Sequence, residues 1–349
     1  MRLRHILPIL HIIAILLPQG AGAECGGDTL RHAGGGGPAA VERARAAVDS
    51  LLDRIGWQKS TRADTAYITR TPGRLRLKLT LSGSGSDIDT HWSSGGESFR
   101  SRLKAQNKYT TSITASYRGL SLSVAFNPAK LSGRNKDYEL NLNAYGNRFG
   151  ADLILQSTKT YEGSVSTPAG GEAAVAAGGV SQDMITASAY YVFSGRRFSF
   201  PAAFTQSWIQ RRSHGSFMLG VSFIGGRIKT EAPDVIGSSV SRLTIVSAGV
   251  GAGYAHNWVV KRRWLLHIST LPQFIVFSRN RLTAGGSETR MPYRFPNMNV
   301  MGRIAVVRHF GRYFAGMNAV VNTSDIGDRG RLSVSNLKWR ARVFVGVSI

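Results

Sequence analysis

Residues 74–82 read RLRLKLTLS, and this stretch decides the fold. Successive side chains of a β-strand point to opposite faces of the sheet, so a strict two-residue alternation marks a strand with two different faces. The alternation here predicts one apolar face and one polar, mainly cationic face. The apolar side chains are Leu75, Leu77, Leu79 and Leu81, and the polar ones between them are Arg76, Lys78, Thr80 and Ser82.

The same two-residue period continues to the last residue and predicts an all-β fold of about twelve strands, within a range of about ten to fourteen. The predicted strands lie near 74–82, 107–117, 119–127, 137–145, 148–158, 183–194, 214–225, 242–255, 263–278, 299–309, 312–323 and 335–349. Several of them have the length that a tilted strand needs to cross a bilayer.

The connections between these strands alternate between short and long. Arg118-Gly119, Gly146-Asn147, Lys261-Arg262-Arg263 and Gly311-Arg312 are short, whereas the segments at 159–182, 226–241 and 279–298 are long. An outer-membrane barrel has short turns on its periplasmic side and longer loops outside, and a soluble β-sandwich shows no such parity. We therefore predict a closed antiparallel transmembrane β-barrel over 74–349 with both of its ends on the periplasmic side.

The N-terminus has the pattern of a secretory signal. Arg2 and Arg4 precede an apolar run at 6–17, and Ala21-Gly22-Ala23 supplies the small residues that a signal peptidase reads. The run is too short to cross a bilayer as a helix, which predicts a signal peptide at 1–23 that is cleaved. The sequence has one cysteine, Cys25, so an internal disulfide is excluded.

Between the signal and the first strand, residues 24–73 form a predicted periplasmic leader. Pro38 stands at a plausible first helical position, and Val41, Val48, Leu51 and Ile55 follow at helical spacing before Gly56. This pattern predicts one amphipathic helix over 38–56.

The sequence is strongly basic, with 44 Lys and Arg against 20 Asp and Glu and a formal net charge of +24. Such a balance is typical of nucleic-acid binding, but an exported protein meets lipid phosphate and anionic sugar instead. The partners predicted are outer-membrane lipid, including lipopolysaccharide, and the barrel-assembly machinery, with no nucleic acid. The sequence contains no metal-ligand or phosphate-loop motif, so neither a metal nor a cofactor is predicted.

The polar faces of the first and last strands are expected to line the lumen together. Their cationic candidates are Arg74, Arg76, Lys78, Lys338, Arg340 and Arg342, and the acidic candidates are Glu139 and Asp152. An anion-selective lumen or a phosphate site is one interpretation. The other is that long basic side chains fill the lumen and hydrogen-bond within it.

Aromatic residues lie near many strand ends. Trp258 and Trp264 flank the turn at 261–263, and an interfacial belt of aromatic side chains is predicted there. Other candidates for this belt are Tyr138, Tyr254, Tyr313 and Trp339.

The segment at 198–212 fits neither a strand nor a tight turn. Pro201 removes a ladder donor, and Gln206 and Gln210 carry polar groups that a lipid face would not tolerate. We predict that this segment packs at, or folds into, the periplasmic mouth. The basic residues that accompany it there are Arg196, Arg197, Arg211 and Arg212.

His214 and Ser216 share one face of the strand that follows and are the candidates for a hydrolase pair. Side chains two residues apart on a strand are too separated for easy hydrogen bonding, and the sequence identifies no orienting acid. Catalysis is therefore the weaker interpretation.

Residues 190–223, YYVFSGRRFSFPAAFTQSWIQRRSHGSFMLGVSF, are similar to the signature of the domain of unknown function 4421 family of exported bacterial proteins. Weaker similarity extends from 64–68 to the segment at 253–259. The resemblance implies an outer-membrane β-barrel of Gram-negative bacteria and supplies no activity. His214 stands where family members often carry a small residue.

Three functions remain open from the sequence. They are a structural or partner-binding and ligand-binding barrel of the cell envelope, a narrow anion-selective conduit, and an integral membrane hydrolase that acts on lipid.

Overall fold

The computed structural model describes residues 63–73, 75–94, 97–117, 120–126, 137–166, 171–230, 240–284, 286–291, 293, 295–328 and 332–349, together with Ala46 and Ser50, which are helical. The predicted signal peptide at 1–23, Arg74 and the rest of the predicted helix at 38–56 lie outside the described residues. Within the described part of the chain, no helix is long and apolar enough to cross a membrane.

The described chain is all-β apart from one short helix and the helical residues Ala46 and Ser50. All twelve predicted strands are confirmed within it. The strands are β1 (Ile68–Arg70), β2 (Leu75–Ser94), β3 (Glu97–Ala105), β4 (Lys108–Tyr117), β5 (Leu120–Phe126), β6 (Tyr138–Tyr145), β7 (Phe149–Ser166), β8 (Glu172–Val192), β9 (Trp208–Gln210), β10 (His214–Thr230), β11 (Val240–Val260), β12 (Trp264–Ser278), β13 (Arg281–Ala284), β14 (Ser287–Arg290), β15 (Met298–Phe310), β16 (Tyr313–Asp328) and β17 (Leu332–Ser348).

Ten of these strands form a ring of antiparallel pairings. The ring runs β2, β3, β7, β8, β10, β11, β12, β15, β16, β17 and back to β2. The strands β4, β5 and β6 make a second path from β2 to β7, which occupies only part of the height of the wall. Leu75–Ser84 of β2 pairs with β4, and Asp87–Ser94 of the same strand pairs with β3.

Several segments expected to be long loops are continuations of strands. The segment at 159–182 extends β7 to Ser166 and begins β8 at Glu172, and the segment at 279–298 contains the hairpin of β13 and β14. The Gly- and Ala-rich composition of the first of these segments has low β propensity. Pairing with neighbouring strands overrides that propensity because it supplies hydrogen-bond partners for much of the backbone.

We call the end of the wall with the short connections the lower half and the other end the upper half. The outer face of the lower half is apolar and exposed: Leu79 is 48% exposed, Phe217 69% and Val345 54%. The pairing of Leu79 with Val345 places these two side chains side by side. This exposed apolar surface, the apolar band, has the arrangement that hydrocarbon requires of a barrel exterior.

In the upper half the pattern changes. The outer face carries charges such as Asp89, Arg100 and Arg227, whereas the inner face carries a cluster of buried apolar side chains among uncharged polar ones. On β10 the outward apolar series runs from Phe217 to Phe223, and Arg227 follows on the same side. The apolar band therefore ends near this level, and the strands extend beyond it.

Candidate functional site: a plugged basic lumen

Residues 198–212, which we call the plug, lie inside the ring of strands at its lower end. The plug contains helix α1 (Phe200–Phe204), all of whose residues are buried. Ser199 caps the helix by accepting a hydrogen bond from the backbone N–H of Ala202 (3.3 Å), and Pro201 stands in the first turn, where its missing donor costs nothing.

The plug does not join the wall. Its strand β9 pairs with β1 in a separate two-stranded sheet, with Thr69 opposite Ile209. The sequence-based prediction allowed a position at the mouth or inside it, and the plug occupies the interior. Arg196 and Arg197 precede the plug, Arg211 and Arg212 are its last two residues, and all four are exposed.

A buried network of polar side chains fixes the plug to the wall. Asn257 on β11 donates from Nδ2 to the carbonyl of Ser199 (3.0 Å) and to Oε1 of Gln210 (2.9 Å). His267 on β12 donates from Nδ1 to Oδ1 of Asn257 (2.7 Å), and Ser199 Oγ donates to Oδ1 of Asn147 (2.8 Å). Because these groups satisfy one another in a dry environment, the network holds the plug in one position.

Aromatic rings of the plug close the space that remains. Phe200 packs against Tyr190 of β8 (ring centroids 5.1 Å apart) and against His267 (5.0 Å), and Phe204 packs against Tyr145 of β6 (5.7 Å). The Phe and Tyr residues among them belong to one buried apolar cluster, which also includes Phe314 and Phe344.

Directly above the plug, charged side chains cross the lumen. Arg303 on β15 and Asp152 on β7 form a buried ion pair (Nη2 to Oδ2, 2.8 Å), and Tyr145 donates a hydrogen bond to the same carboxylate (2.7 Å). Arg340 on β17 pairs with Glu139 on β6. Both acidic residues predicted for the lumen therefore lie there, each paired with an arginine.

The lumen contains more cations than carboxylates. Among the described residues, no carboxylate lies within ion-pair distance of Arg76, Lys78, Lys338 or Arg342. Lys78 donates to the carbonyl of Phe204 at the end of α1 (3.3 Å), and its ammonium lies 5.0 Å from the centre of the Phe344 ring. Lys78 thus contacts the plug directly.

A cavity of about 80 Å³ lies among these charges. Its basic lining comprises Lys108, Arg303, Lys338, Arg340 and Arg342, and its acidic lining comprises Glu139 and Asp152. Positive charges at this density in a confined space favour a bound anion or water that bridges them.

An apolar layer lies above the basic one. It includes Ile88, Met184, Leu243, Ile326 and Val334, all buried and all on inward faces of their strands. A second cavity, of about 40 Å³, lies where Lys338 meets this layer. The described lumen therefore has three layers: the aromatic plug, the basic chamber and the apolar upper layer.

The structure brings together residues that sequence reasoning did not single out. Arg303 lies in the correctly predicted strand at 299–309, on the same inward face as Met301. The two-residue alternation of that strand is therefore enough to place Arg303 in the lumen. Lys108, which pairs with Asp137 (3.0 Å), was likewise missed. Of the predicted basic candidates, Arg74 is the one outside the described residues.

His214 and Ser216 make their contacts with other residues and not with each other. The His214 ring contacts Tyr67 edge-on (centroids 5.3 Å apart), whereas Ser216 Oγ accepts from the backbone of Ser194 (2.9 Å) and donates to the carbonyl of Phe217 (2.8 Å). The hydroxyl proton of Ser216 is thus donated to a backbone carbonyl and not to His214.

Comparison with known proteins gives a family but no activity. A match to the family described as Domain of unknown function (DUF4421) covers residues 62–348. No curated protein sequence is detectably similar to the chain.

Solved structures with some likeness include three proteins. The outer membrane protease OmpT from Escherichia coli has 8% identity and a TM-score of 0.41, with 80% of this chain and 98% of that chain covered. The translocator domain of the autotransporter NalP from Neisseria meningitidis has 14% identity and a TM-score of 0.33, with 89% and 99% covered. The P. putida toluene transporter TodX has 10% identity and a TM-score of 0.26, with 83% and 93% covered. Likenesses at this level identify no activity for the chain.

Proposed function

Because the chain belongs to the DUF4421 family, whose description names no activity, we propose from its own geometry that it is a closed, plugged β-barrel of the outer membrane that holds a small anion in its lumen. In the lower half the barrel has twelve strands, closed through the second path of β4, β5 and β6. Pairing of β10 with β11 and of β17 with β2 supports this closure.

The location in the outer membrane is supported by the lower half, where apolar side chains lie outside and charged side chains lie inside. An exposed apolar exterior around a polar, charged interior is stable against hydrocarbon and unstable against water. The predicted signal peptide supports export from the cytoplasm. A mature chain that proves water-soluble and monomeric without detergent would refute this location.

One observation carries the anion site: Arg76, Lys78, Lys338 and Arg342 share the lumen with no carboxylate within ion-pair distance among the described residues. Desolvated like charges repel one another unless a counter-ion or water is present. A small oxyanion in the cavity beside Lys338 and Arg342 would supply the missing negative charge through charge-assisted hydrogen bonds.

A binding site fits this lumen better than an open conduit. The plug closes the chamber below, and the apolar layer with Ile326 and Val334 bounds it above. The cavity at that layer measures only about 40 Å³, which leaves little room for a hydrated ion to pass.

The test is calorimetric titration of inorganic phosphate into the full mature protein in detergent at low ionic strength. We expect the double variant Lys338→Gln/Arg342→Gln to lose at least about tenfold in affinity, because one charge-assisted hydrogen bond contributes about 1.5 kcal/mol or more. Lys104→Gln is the matched control, since Lys104 is exposed and faces away from the lumen.

Two outcomes would overturn the lumenal anion site. The first is no phosphate binding by the wild type, or an equal loss in the Lys104 control. The second is a steady phosphate current across planar bilayers that disappears in the double variant, which would show a conduit instead.

A further inference from the structure

A second group of cations lies on the outside of the wall, just above the apolar band. We call it the arginine patch, and its members are Arg227, Arg242, Arg279, Arg281 and Arg290. All five are exposed. The patch is separate from the lumen, because these side chains lie on the outward faces of the strands or at their ends.

The strand register assembles the patch. Arg227 on β10 lies opposite Thr244 on β11, Thr244 lies opposite Arg281 on β13, and Arg281 lies opposite Arg290 on β14. Neighbouring strands are about 4.8 Å apart, so three arginines form one row across four strands. Arg242 lies two residues from Thr244 along β11 and adds to the same surface.

This arrangement concentrates positive charge, and Asp183 on β8, which lies directly opposite Arg227, offsets part of it. Like charges directly opposite on neighbouring strands destabilise a sheet, and Arg281 and Arg290 are such a pair. Glu288 compensates for part of the charge through its ion pair with Arg281 (3.2 Å). Within the described part of the chain, no carboxylate lies within ion-pair distance of Arg227, Arg242, Arg279 or Arg290.

The surface between these arginines is concave. One groove of about 300 Å³ is lined by Arg279, Arg281, Glu288 and Arg290. An adjoining groove of about 480 Å³ is lined by Arg227, Arg242, Thr244 and Phe277, among others. Guanidinium groups bind phosphate oxygens in a bidentate manner, so the grooves offer several donors to one phosphorylated group.

The position of the patch beside exposed aromatic rings indicates which kind of phosphorylated ligand fits it. Phe223 is 41% exposed and Phe277 45% exposed on the same outer face, and the Arg279 guanidinium lies 5.8 Å from the Phe277 ring centre. Arg227 follows Phe223 by four residues, which is about 13 Å along a strand. A ligand that meets both surfaces needs an apolar part beside the rings and an anionic part beside the arginines, as a lipid has.

We propose that the arginine patch binds the headgroup phosphates of a phosphorylated lipid in the leaflet on the long-connection side. This inference rests on the membrane location proposed above and is independent of the lumenal anion. The acyl chains lie along the apolar band, and the phosphates lie in the two grooves.

The experiment measures binding of diphosphorylated lipid A and of its dephosphorylated form to the full mature protein in neutral detergent micelles, by native mass spectrometry. We expect the diphosphorylated form to bind at least about tenfold more tightly, since two or more charge-assisted hydrogen bonds are lost with the phosphates. Equal binding of the two forms by the wild type overturns the proposal without recourse to any variant.

Substitutions then locate the site. Arg227→Gln/Arg281→Gln should remove most of the preference for the phosphorylated lipid, whereas Arg262→Gln/Arg308→Gln, which removes two exposed cations at the lower end, should leave it unchanged. Equal preference in the patch variant and in the control would also overturn the proposal.

Inorganic phosphate serves as the competitor in the same assay. We expect millimolar phosphate to leave the lipid bound. Displacement would show a site for free phosphate and not for a lipid. If the protein fractionates with membranes and binds both lipid forms equally, this inference fails while the proposed membrane location stands.

Discussion

In strand β17, apolar side chains face outward at Val343 and Val345 in the lower half and inward at Val334 in the upper half. Strand β2 shows the same exchange, from outward Leu79 to inward Ile88. The backbone alternation continues through both halves, so what changes is the side on which the sequence places its apolar residues. The lower half is built for hydrocarbon outside and charge inside, and the upper half has the ordinary pattern of a protein in water. On the proposed membrane location, the exchange marks the level at which the lipid ends.

The largest effect is expected from breaking the charged interior of the lower half. Asp152→Ala leaves Arg303 buried without its partner and should reduce the free energy of unfolding by about 3–5 kcal/mol. Asp89→Ala removes the partner of Arg100 on the upper outer face, where the pair is exposed, and should cost about 0–1 kcal/mol. Urea unfolding in detergent micelles, followed by tryptophan fluorescence, measures both. Similar losses in the two variants would show that the lower interior is as solvated as the upper exterior.

The next effect concerns the outer face of one strand. Val345→Arg places a charge in the apolar band and should reduce the free energy of unfolding in lipid vesicles by about 2–4 kcal/mol. Ser335→Arg is the matched change on the outer face of the upper half of β17 and should have almost no effect. If both substitutions were tolerated equally, the apolar band would not contact lipid.

The smallest change in the free energy of unfolding is expected from shortening an apolar side chain, either on the inner face of the upper half or on the outer face of the lower half. Ile326→Val removes one methyl group from the packed upper interior and should cost about 0.5–1.5 kcal/mol, a value that includes the cavity it leaves. Ile304→Val makes the same change on the exposed outer surface, where mobile acyl chains would fill the space in a vesicle, so its cost should be smaller. Denaturant titrations of both variants in vesicles provide the comparison, and an equal or larger loss for Ile304→Val would contradict it.

Much of the wall could be predicted from the sequence. The two-residue period placed twelve strands, and the alternating connections indicated that the first and last strands meet, as they do where Val347 pairs with Leu77. Several strands are longer than the sequence pattern predicted. Segments such as 172–182 carry no apolar alternation and become strand only because β7 and β10 provide partners.

The candidate site was predicted in part. The two-residue alternation of their strands was enough to place four side chains on the inward face, namely Arg340, Arg342, Glu139 and Asp152. Their partners were not readable, because a strand pattern gives the face of a residue and not which residue across the lumen it meets.

By itself, therefore, the sequence determined the all-β class, the apolar face of the lower half, and a segment at 198–212 unsuited to the wall. These are local properties of composition and period. Only the tertiary structure decided that this segment fills the interior, that Arg303 meets Asp152 across the lumen, and that Arg227, Arg281 and Arg290 form a row on the outside. Such contacts join residues far apart in the chain, and the ring of pairings that sets their distances exists only once the sheet is formed.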